Sequence, residues 1–301
     1  MSLAELVLVG DHQAKAVIEA VCTRLPVVGT VGVDSPSAGR CFVDTERALE
    51  SNPRPHSVCF LTPKHATFES LQRIVSAGVH VLCAGPLIAT SEQLFQLDKL
   101  AAQQGVRIRL GGRERHAPAL QRLMQLRVSD AFGEPVYARC VGGGGTTIPA
   151  TWWSMCELLA SASWLLQSQP ERIFVGATRS GRARVHVTMT VAMQNRANAQ
   201  LCVAPGECWN LPDTWLLGSG GTLLSRSEDG DILLAGSDNR TALGVDPQML
   251  PEPQWIADFM AADGETGIST DVAAMETGHH LLKALRRALK EGRLQRCNSV
   301  L

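Results

Sequence analysis

The residues best placed to do chemistry together near the amino terminus are Gly10-Asp11-His12-Gln13-Ala14-Lys15, which follow the apolar run LVLV and open a helical pattern. A turn from strand to helix is a seat for phosphate, because glycines let the backbone approach the anion and the amides at the helix start donate to it. The dinucleotide form of that turn is GxGxxG. Only Gly10 keeps it here; His12 stands at the second glycine place and Lys15 at the third. A side chain at the second place crowds the phosphate path, and Asp11 adds negative charge beside it. Asp34, closing the stretch VVGTVGVDSP, is placed to accept from ribose hydroxyls, with Lys15 or Arg40 as phosphate partners. Asp34 reads equally as a turn residue, and Lys15 as a solvated helix charge.

Proton transfer needs a group whose pKa lies near the working pH. His65 follows Thr62-Pro63 at a strand end, the edge where open α/β sheets place ligands. Glu157 is the only charged side chain of the apolar stretch 152–166, and Trp152, Trp153 and Trp164 would raise its pKa by excluding water. The plainer reading of Glu157 is a surface carboxylate near a helix start. Arg113 and Arg115 suit an anionic substrate or plain solvent. His279 and His280 are adjacent and cannot form an i, i+4 metal pair, so no metal site is expected.

The elements that must hold these residues follow from periodicity. Apolar, β-branched runs at 6–10, 27–33, 56–61, 79–83 and 106–110 alternate with helical patterns at 14–23, 45–51, 67–77 and 91–104. Such alternation implies right-handed βαβ units and a Rossmann-type, doubly wound parallel sheet. After Ala117 the texture changes: a helix at 118–127, a strand at 136–141, a break at the four glycines 142–145 and a helix at 152–166. Alternating runs at 172–177, 183–193, 199–203, 214–217, 222–225 and 232–235, divided by turn signals, predict antiparallel hairpins. Helices at 253–262 and 271–291 close the chain. The expectation is two domains, 1–117 Rossmann-like and 118–301 α+β with a mostly antiparallel sheet.

Composition bounds the partners. The 301 residues are 45% hydrophobic, and 28 Lys and Arg against 29 Asp and Glu give a net charge of -1, so no overall field draws nucleic acid or an anionic membrane. A small-molecule ligand is expected. Nine scattered cysteines without a CxxC pair fit reduced thiols used as small hydrophobes. The start MSLAELVLVGD lacks a basic leader, and no apolar run approaches a membrane span, which predicts a cytoplasmic protein.

Four strings carry a resemblance: VCFLTPKHA at 58–66, GVHVLCAGPLIAT at 78–90, the spacing Arg115-x-x-Pro118, and DAFGEP at 130–135. Together they resemble the family of glucose–fructose oxidoreductase, inositol dehydrogenase and rhizopine-catabolism proteins (Gfo/Idh/MocA), along essentially the whole chain. The family's usual wording of the second string is close to HVLCEKPLA, so Ala84 and Gly85 stand where it carries Glu-Lys. The resemblance implies that a lysine at position 85 would sit near nicotinamide and substrate to move a proton; Gly85 does not supply one. Aligning Trp164 on the end of the family's DxGxHxxD helix puts Trp153 and Met155 on the first aspartate and the glycine, Glu157 on the histidine, and Ala160 on the second aspartate. No histidine lies between Leu120 and Val185 to restore one.

By this resemblance the chain is an NAD(P)-dependent oxidoreductase by descent, acting on or binding a sugar-like or polyol-like molecule. The catalytic candidates are Glu157 and His65. The cofactor candidates, for NAD or NADP, are Gly10, His12, Lys15, Asp34, Thr62, Pro63, Gly85 and Pro86. A homo-oligomer through the carboxyl-terminal sheet is implied as well. The absent lysine and histidine keep a second expectation open: a non-catalytic ligand-binding or partner protein that needs no cofactor.

Overall fold

The structure is a computed structural model, and it describes residues 5–62, 65–85, 87, 89–128, 132–144, 147–180, 184–205, 213–225, 231–235, 240–244, 250–262, 267–268 and 272–297. Two units divide the chain: Met1–Arg113 with Leu250–Met275, and Glu114–Met249 with Glu276–Leu301.

In the first unit, β1 (Leu6–Val9), β2 (Val27–Val31), β3 (Cys41–Phe42), β4 (Ser57–Phe60), β5 (His80–Cys83) and β6 (Arg107–Leu110) run parallel in the order 6-5-4-1-2-3, the doubly wound topology expected. Every residue of β1 and β4 is buried, as befits strands covered on both faces. The helices are α1 (Lys15–Cys22), α2 (Thr45–Leu49), α3 (Phe68–Ser76) and α4 (Ser91–Gln104). Reciprocal caps start two of them: Thr67 with Ser70 on α3 and Thr90 with Gln93 on α4. Val7, Val9, Val58, Phe60, Leu71, Ile74, Val81 and Ile108 belong to one packed core.

In the second unit come α5 (Pro118–Arg127), β7 (Pro135–Gly144), α6 (Ile148–Leu166), β8 (Pro170–Ser180), β9 (Arg184–Met193), β10 (Asn198–Pro205), β11 (Asp213–Gly218), β12 (Thr222–Ser225), β13 (Asp231–Ala235) and β14 (Arg240–Gly244). With β16 (Gln295–Cys297) they form a nine-stranded sheet in the order 14-13-12-11-7-10-9-8-16, antiparallel except between β7 and β10. Met155, Leu158, Leu159, Ala162 and Leu165 of α6 enter its core with Leu281, Leu282 and Leu285 of α8 (Val272–Glu291). The Trp152 indole N–H donates to the Gly278 carbonyl at 2.6 Å, tying α6 to α8.

Two expectations differ from the structure. The break expected at the glycines 142–145 is β-strand through Gly144, with Gly142, Gly143 and Gly144 paired to Val203, Ala204 and Pro205. A Cβ on Gly142 would stand 3.2 Å from the Leu158 side chain, so this glycine lets α6 lie close on the sheet. Gly145 lies outside the described residues.

The second difference concerns the domain division. The expected 118–301 segment is interrupted, because α7 (Glu252–Ala261) and β15 (Gly267–Ile268) belong to the first unit. Trp255, Ile256 and Phe259 of α7 are buried, the Trp255 N–H donates to the Gly111 carbonyl at 3.2 Å, and Arg107 and Arg109 lie over the Phe259 ring. β15 pairs with β6, which otherwise ends the sheet as an open edge.

Candidate functional site

Strand order reverses at β1, whose neighbours are β2 on one side and β4 on the other, so the switch point lies at the carboxyl ends of β1 and β4. The Leu61 N–H donates to the Val9 carbonyl at 2.9 Å there, and a Cβ on Gly10 would come 3.8 Å from Thr62 Oγ1. Ala84 N–H donates to Phe60 O and Gly111 N–H to Cys83 O, both at 2.8 Å, bringing the loops after β5 and β6 to the same edge. Gly10, Asp11, Thr62, Ala84 and Gly85 are thus positioned by one sheet edge. Pro63 and Pro86 lie outside the described residues.

Gly10 is buried and tightly held. Its N–H donates to Val31 O at 3.1 Å, and a Cβ on it would meet Ala14 Cβ at 2.9 Å. Gly32, which follows β2 at φ +81°, faces it: a Cβ on Gly32 would stand 2.4 Å from the Gly10 carbonyl oxygen. Only glycine fits that position, because both the space and the left-handed backbone exclude a side chain. Gly32 belongs to the site's scaffold and went unassigned in the sequence, although VVGTVGVD places it between a strand and Asp34.

The turn after Gly10 forms a short 3-10 segment, His12–Ala14, before α1. The half-buried Asp11 caps it, its carboxylate accepting the Gln13 N–H at 3.0 Å. Ala14 N–H donates to Asp11 O and Lys15 N–H to His12 O. The amides of Gly10, Gln13, Ala14 and Lys15 therefore all have protein acceptors. The side chains of His12 and Lys15 are exposed.

Asp34 is exposed two residues past Gly32, where a ribose-binding carboxylate belongs. Arg40 lies elsewhere than the phosphate position considered for it: it donates to Asn52 O at 3.3 Å and lines, with Glu5, Val27, Phe42 and Pro53, a cavity of about 310 Å³ beside the starts of β1 and β2. His65 is exposed; its N–H donates to Thr62 O at 3.2 Å and its carbonyl accepts from Ser70 Oγ. Glu157 is in the second unit, half-buried on α6, as are Trp153 and Trp164. It fits neither a solvated surface carboxylate nor a fully buried acid.

Gly85 is buried, and its N–H is directed at the Cys83 sulfur. Burial pushes the Cys83 thiol up to about 12 and raises Cys59 well above its ordinary value, so neither is a thiolate nucleophile. A buried ion pair also escaped the sequence: Arg113 Nη1 meets Glu252 Oε1 at 3.3 Å, with the Glu252 side chain 6% exposed. Nothing local announces it, because α7 reaches this unit across the whole second sheet in sequence. Among the described residues no three His, Cys, Asp or Glu side chains are grouped to hold a metal ion, and no helix is long and apolar enough to cross a membrane.

Residues 6–111 match the Gfo/Idh/MocA oxidoreductase family model, described as an NAD-binding Rossmann fold. Residues 6–111 are thus similar to the NAD-binding domain of that family. No curated protein sequence matches the chain. Solved structures share the whole fold at low identity. An oxidoreductase from Agrobacterium radiobacter in complex with NAD+, L-tartaric acid and magnesium has a TM-score of 0.78 at 15% identity, covering 100% of both chains. A dehydrogenase from Chromobacterium violaceum has 0.80 at 16%, covering 97% of this chain and 96% of its own. A putative myo-inositol dehydrogenase from Sinorhizobium meliloti 1021 has 0.73 at 14%, covering 98% and 99%.

The Gfo/Idh/MocA cofactor can be tested against these residues. The ribose end fits, with Asp34 at the end of β2 and Gly32 holding β2 against Gly10. The pyrophosphate end does not: four amides of its turn are taken and a carboxylate sits on one of them.

Proposed function

We propose that the chain is a divergent NAD(P)-binding member of the oxidoreductase family that engages a small sugar-like or polyol-like molecule without the family's lysine-assisted proton transfer. The observation that carries this reading is the switch point built from Gly10, Gly32, Thr62 and Gly85, inside a segment matching the NAD-binding family, with no ionisable side chain at Ala84 or Gly85. Solved neighbours named as sugar or polyol dehydrogenases, among them a levoglucosan dehydrogenase in complex with NADH and L-sorbose, support the substrate class. Hydride transfer from a hydroxyl needs a base for the proton; His65 and Glu157 are the groups to test for that role. Loss of one such group ordinarily lowers the rate about 10²–10⁴-fold.

A second reading is favoured by the same glycine: a ligand-binding protein that keeps the fold and performs no hydride transfer. Titration of the purified full chain with NADH, NADPH, NAD and NADP, followed by turnover with a panel of polyols and aldoses at the nicotinamide absorbance band, separates them. Binding with turnover that is lost in Glu157→Gln or His65→Ala supports the enzyme. Binding without turnover supports the second reading, and no binding by folded protein overturns the first. We propose further that the protein is cytoplasmic and that copies associate through the nine-stranded sheet, on which Val136 and Trp215 are exposed; light scattering of wild type and Trp215→Glu tests the association.

A further inference from the structure

The last helix of the chain carries positive charge that its own surroundings leave unanswered. Lys283, Arg286, Arg287 and Lys290 of α8 fall at i, i+3, i+4 and i+7 and are all exposed, so they form one ridge. The ridge cannot roll inwards, because Leu281, Leu282, Ala284, Leu285 and Ala288 fix the opposite face in the core. We propose that this ridge is a docking surface for an acidic segment of a partner protein, whose Asp and Glu side chains pair with the four cations.

The stretch Lys283–Arg293 holds five Lys and Arg against the single carboxylate of Glu291, in a chain whose net charge is -1. None of the four ridge cations takes part in an ion pair among the described residues. Glu291 is already engaged, accepting from Arg293 Nε at 2.8 Å and from Gln295 Nε2 at 2.9 Å. Those two bonds, ahead of the Arg293 and Arg287 charges, hold its carboxyl below the ordinary range. The field reaches one turn back along the helix: burial first, then Lys283, His280 and Arg286, lower the pKa of His279.

The helix does not need this pattern for itself. Like charges three and four residues apart oppose helix formation. The macrodipole favours cations only within the last turn, which accounts for Lys290 but not for Lys283 or Arg286. Shape and extent select the partner. A convex ridge does not enclose a small anion. From i to i+7 it runs about 10 Å, a short track for the phosphates of a nucleic acid, and the net charge gives no steering field towards one. The apolar face of α8 is buried in the core, so it has none to lay into lipid. A protein segment with carboxylates at matching spacing fits, and Leu294, 63% exposed just past the helix end, offers it an apolar contact.

The test titrates the full chain into fluorescein-labelled oligo-L-glutamate and follows anisotropy, beside labelled duplex DNA and phosphatidylserine vesicles. Wild type is expected to bind oligo-glutamate, more weakly as salt rises, and more tightly than DNA or vesicles. Arg286→Glu with Arg287→Glu should weaken that binding about tenfold or more. Arg24→Glu with Lys99→Glu, exposed positions of the first unit that change net charge equally, should leave it unchanged. Lys283→Gln with Lys290→Gln adds no acid to the helix and should weaken binding several-fold, which decides the matter if the charge reversal does not fold. No binding by wild type, equal losses in the ridge and first-unit variants, or tighter binding of DNA or vesicles each overturns the proposal.

Discussion

Acidification should loosen the first unit through one histidine. His80 begins β5; its Nδ1 accepts the Arg107 backbone N–H at 2.9 Å, and its ring stands edge-on to His56 at 4.6 Å. Burial first, then the His56 and Arg107 charges, lower its pKa from 6.5 to about 4. The sign follows directly. Between pH 6.5 and about 4 the unfolded chain takes up a proton that folded His80 refuses, so stability is full above pH 6.5 and is lost as pH falls towards 4. The whole interval corresponds to about 3 kcal/mol, and because the ring is only half-buried we expect about 1–2 kcal/mol after solvent screening. His80→Asn is the matched control, since asparagine can present its amide oxygen near the Nδ1 position and cannot titrate. Urea unfolding from pH 7 to 4 should show wild type losing that amount more than the variant, and hydrogen exchange at the Arg107 amide should quicken in wild type alone. Parallel stability–pH curves for the two proteins would refute the reasoning.

Gly32→Ala should destabilise the first unit by about 2 kcal/mol or more in a thermal or urea melt, since its Cβ meets the Gly10 carbonyl at 2.4 Å and its φ is +81°. Arg113→Met leaves the Glu252 carboxylate buried without its cation and should cost about 2–3 kcal/mol, whereas replacing both partners with apolar residues should recover much of the loss. Brief alkylation of the native protein should label the exposed Cys41 and spare Cys59, Cys83 and Cys140, whose thiols burial holds far above neutrality; peptide mass spectrometry reads the order. On the cofactor reading proposed above, which puts the Asp34 carboxylate at the ribose, Asp34→Arg should shift relative affinity from NADH towards NADPH by about tenfold in a calorimetric titration.

The parallel sheet was legible because its strands are short, apolar and separated by helices with a period of 3.6, and that pattern survives without any knowledge of contacts. The glycine run at 142–144 misled because local sequence cannot distinguish a glycine needed for chain reversal from one needed for close packing; only Leu158, arriving from α6, decides it. The return of α7 to the first unit was invisible for a related reason. Its burial of Trp255 and Phe259 depends on Gly111 and on Arg107 and Arg109, more than 140 residues earlier in the chain. Within the site, the departures at residues 12, 15 and 85 were readable as sequence. What replaced the missing functions was not, because Asp11 as a cap, Gly32 as a spacer and Gly85 as a donor to sulfur are roles of geometry.

Those roles have a common direction. At the carboxyl edge of a doubly wound sheet, side chains and amides are either left for a ligand or used by the fold. Here the Asp11 carboxylate closes its own turn, the Gly85 amide turns inward to Cys83, and Gly111 serves both Cys83 and Trp255. Asp34 and His65 are exposed at the ends of their strands. This edge thus uses the Asp11 carboxylate and the Gly85 and Gly111 amides within the fold, while Asp34 and His65 stay exposed to solvent. On the cofactor reading proposed above, Gly85→Lys should leave affinity for ADP unchanged in a calorimetric titration, because the family resemblance puts a lysine at this position near the nicotinamide rather than the adenosine. A gain in ADP affinity from this change would mean that the loop after β5 acts on the nucleotide end as well, contrary to that reading.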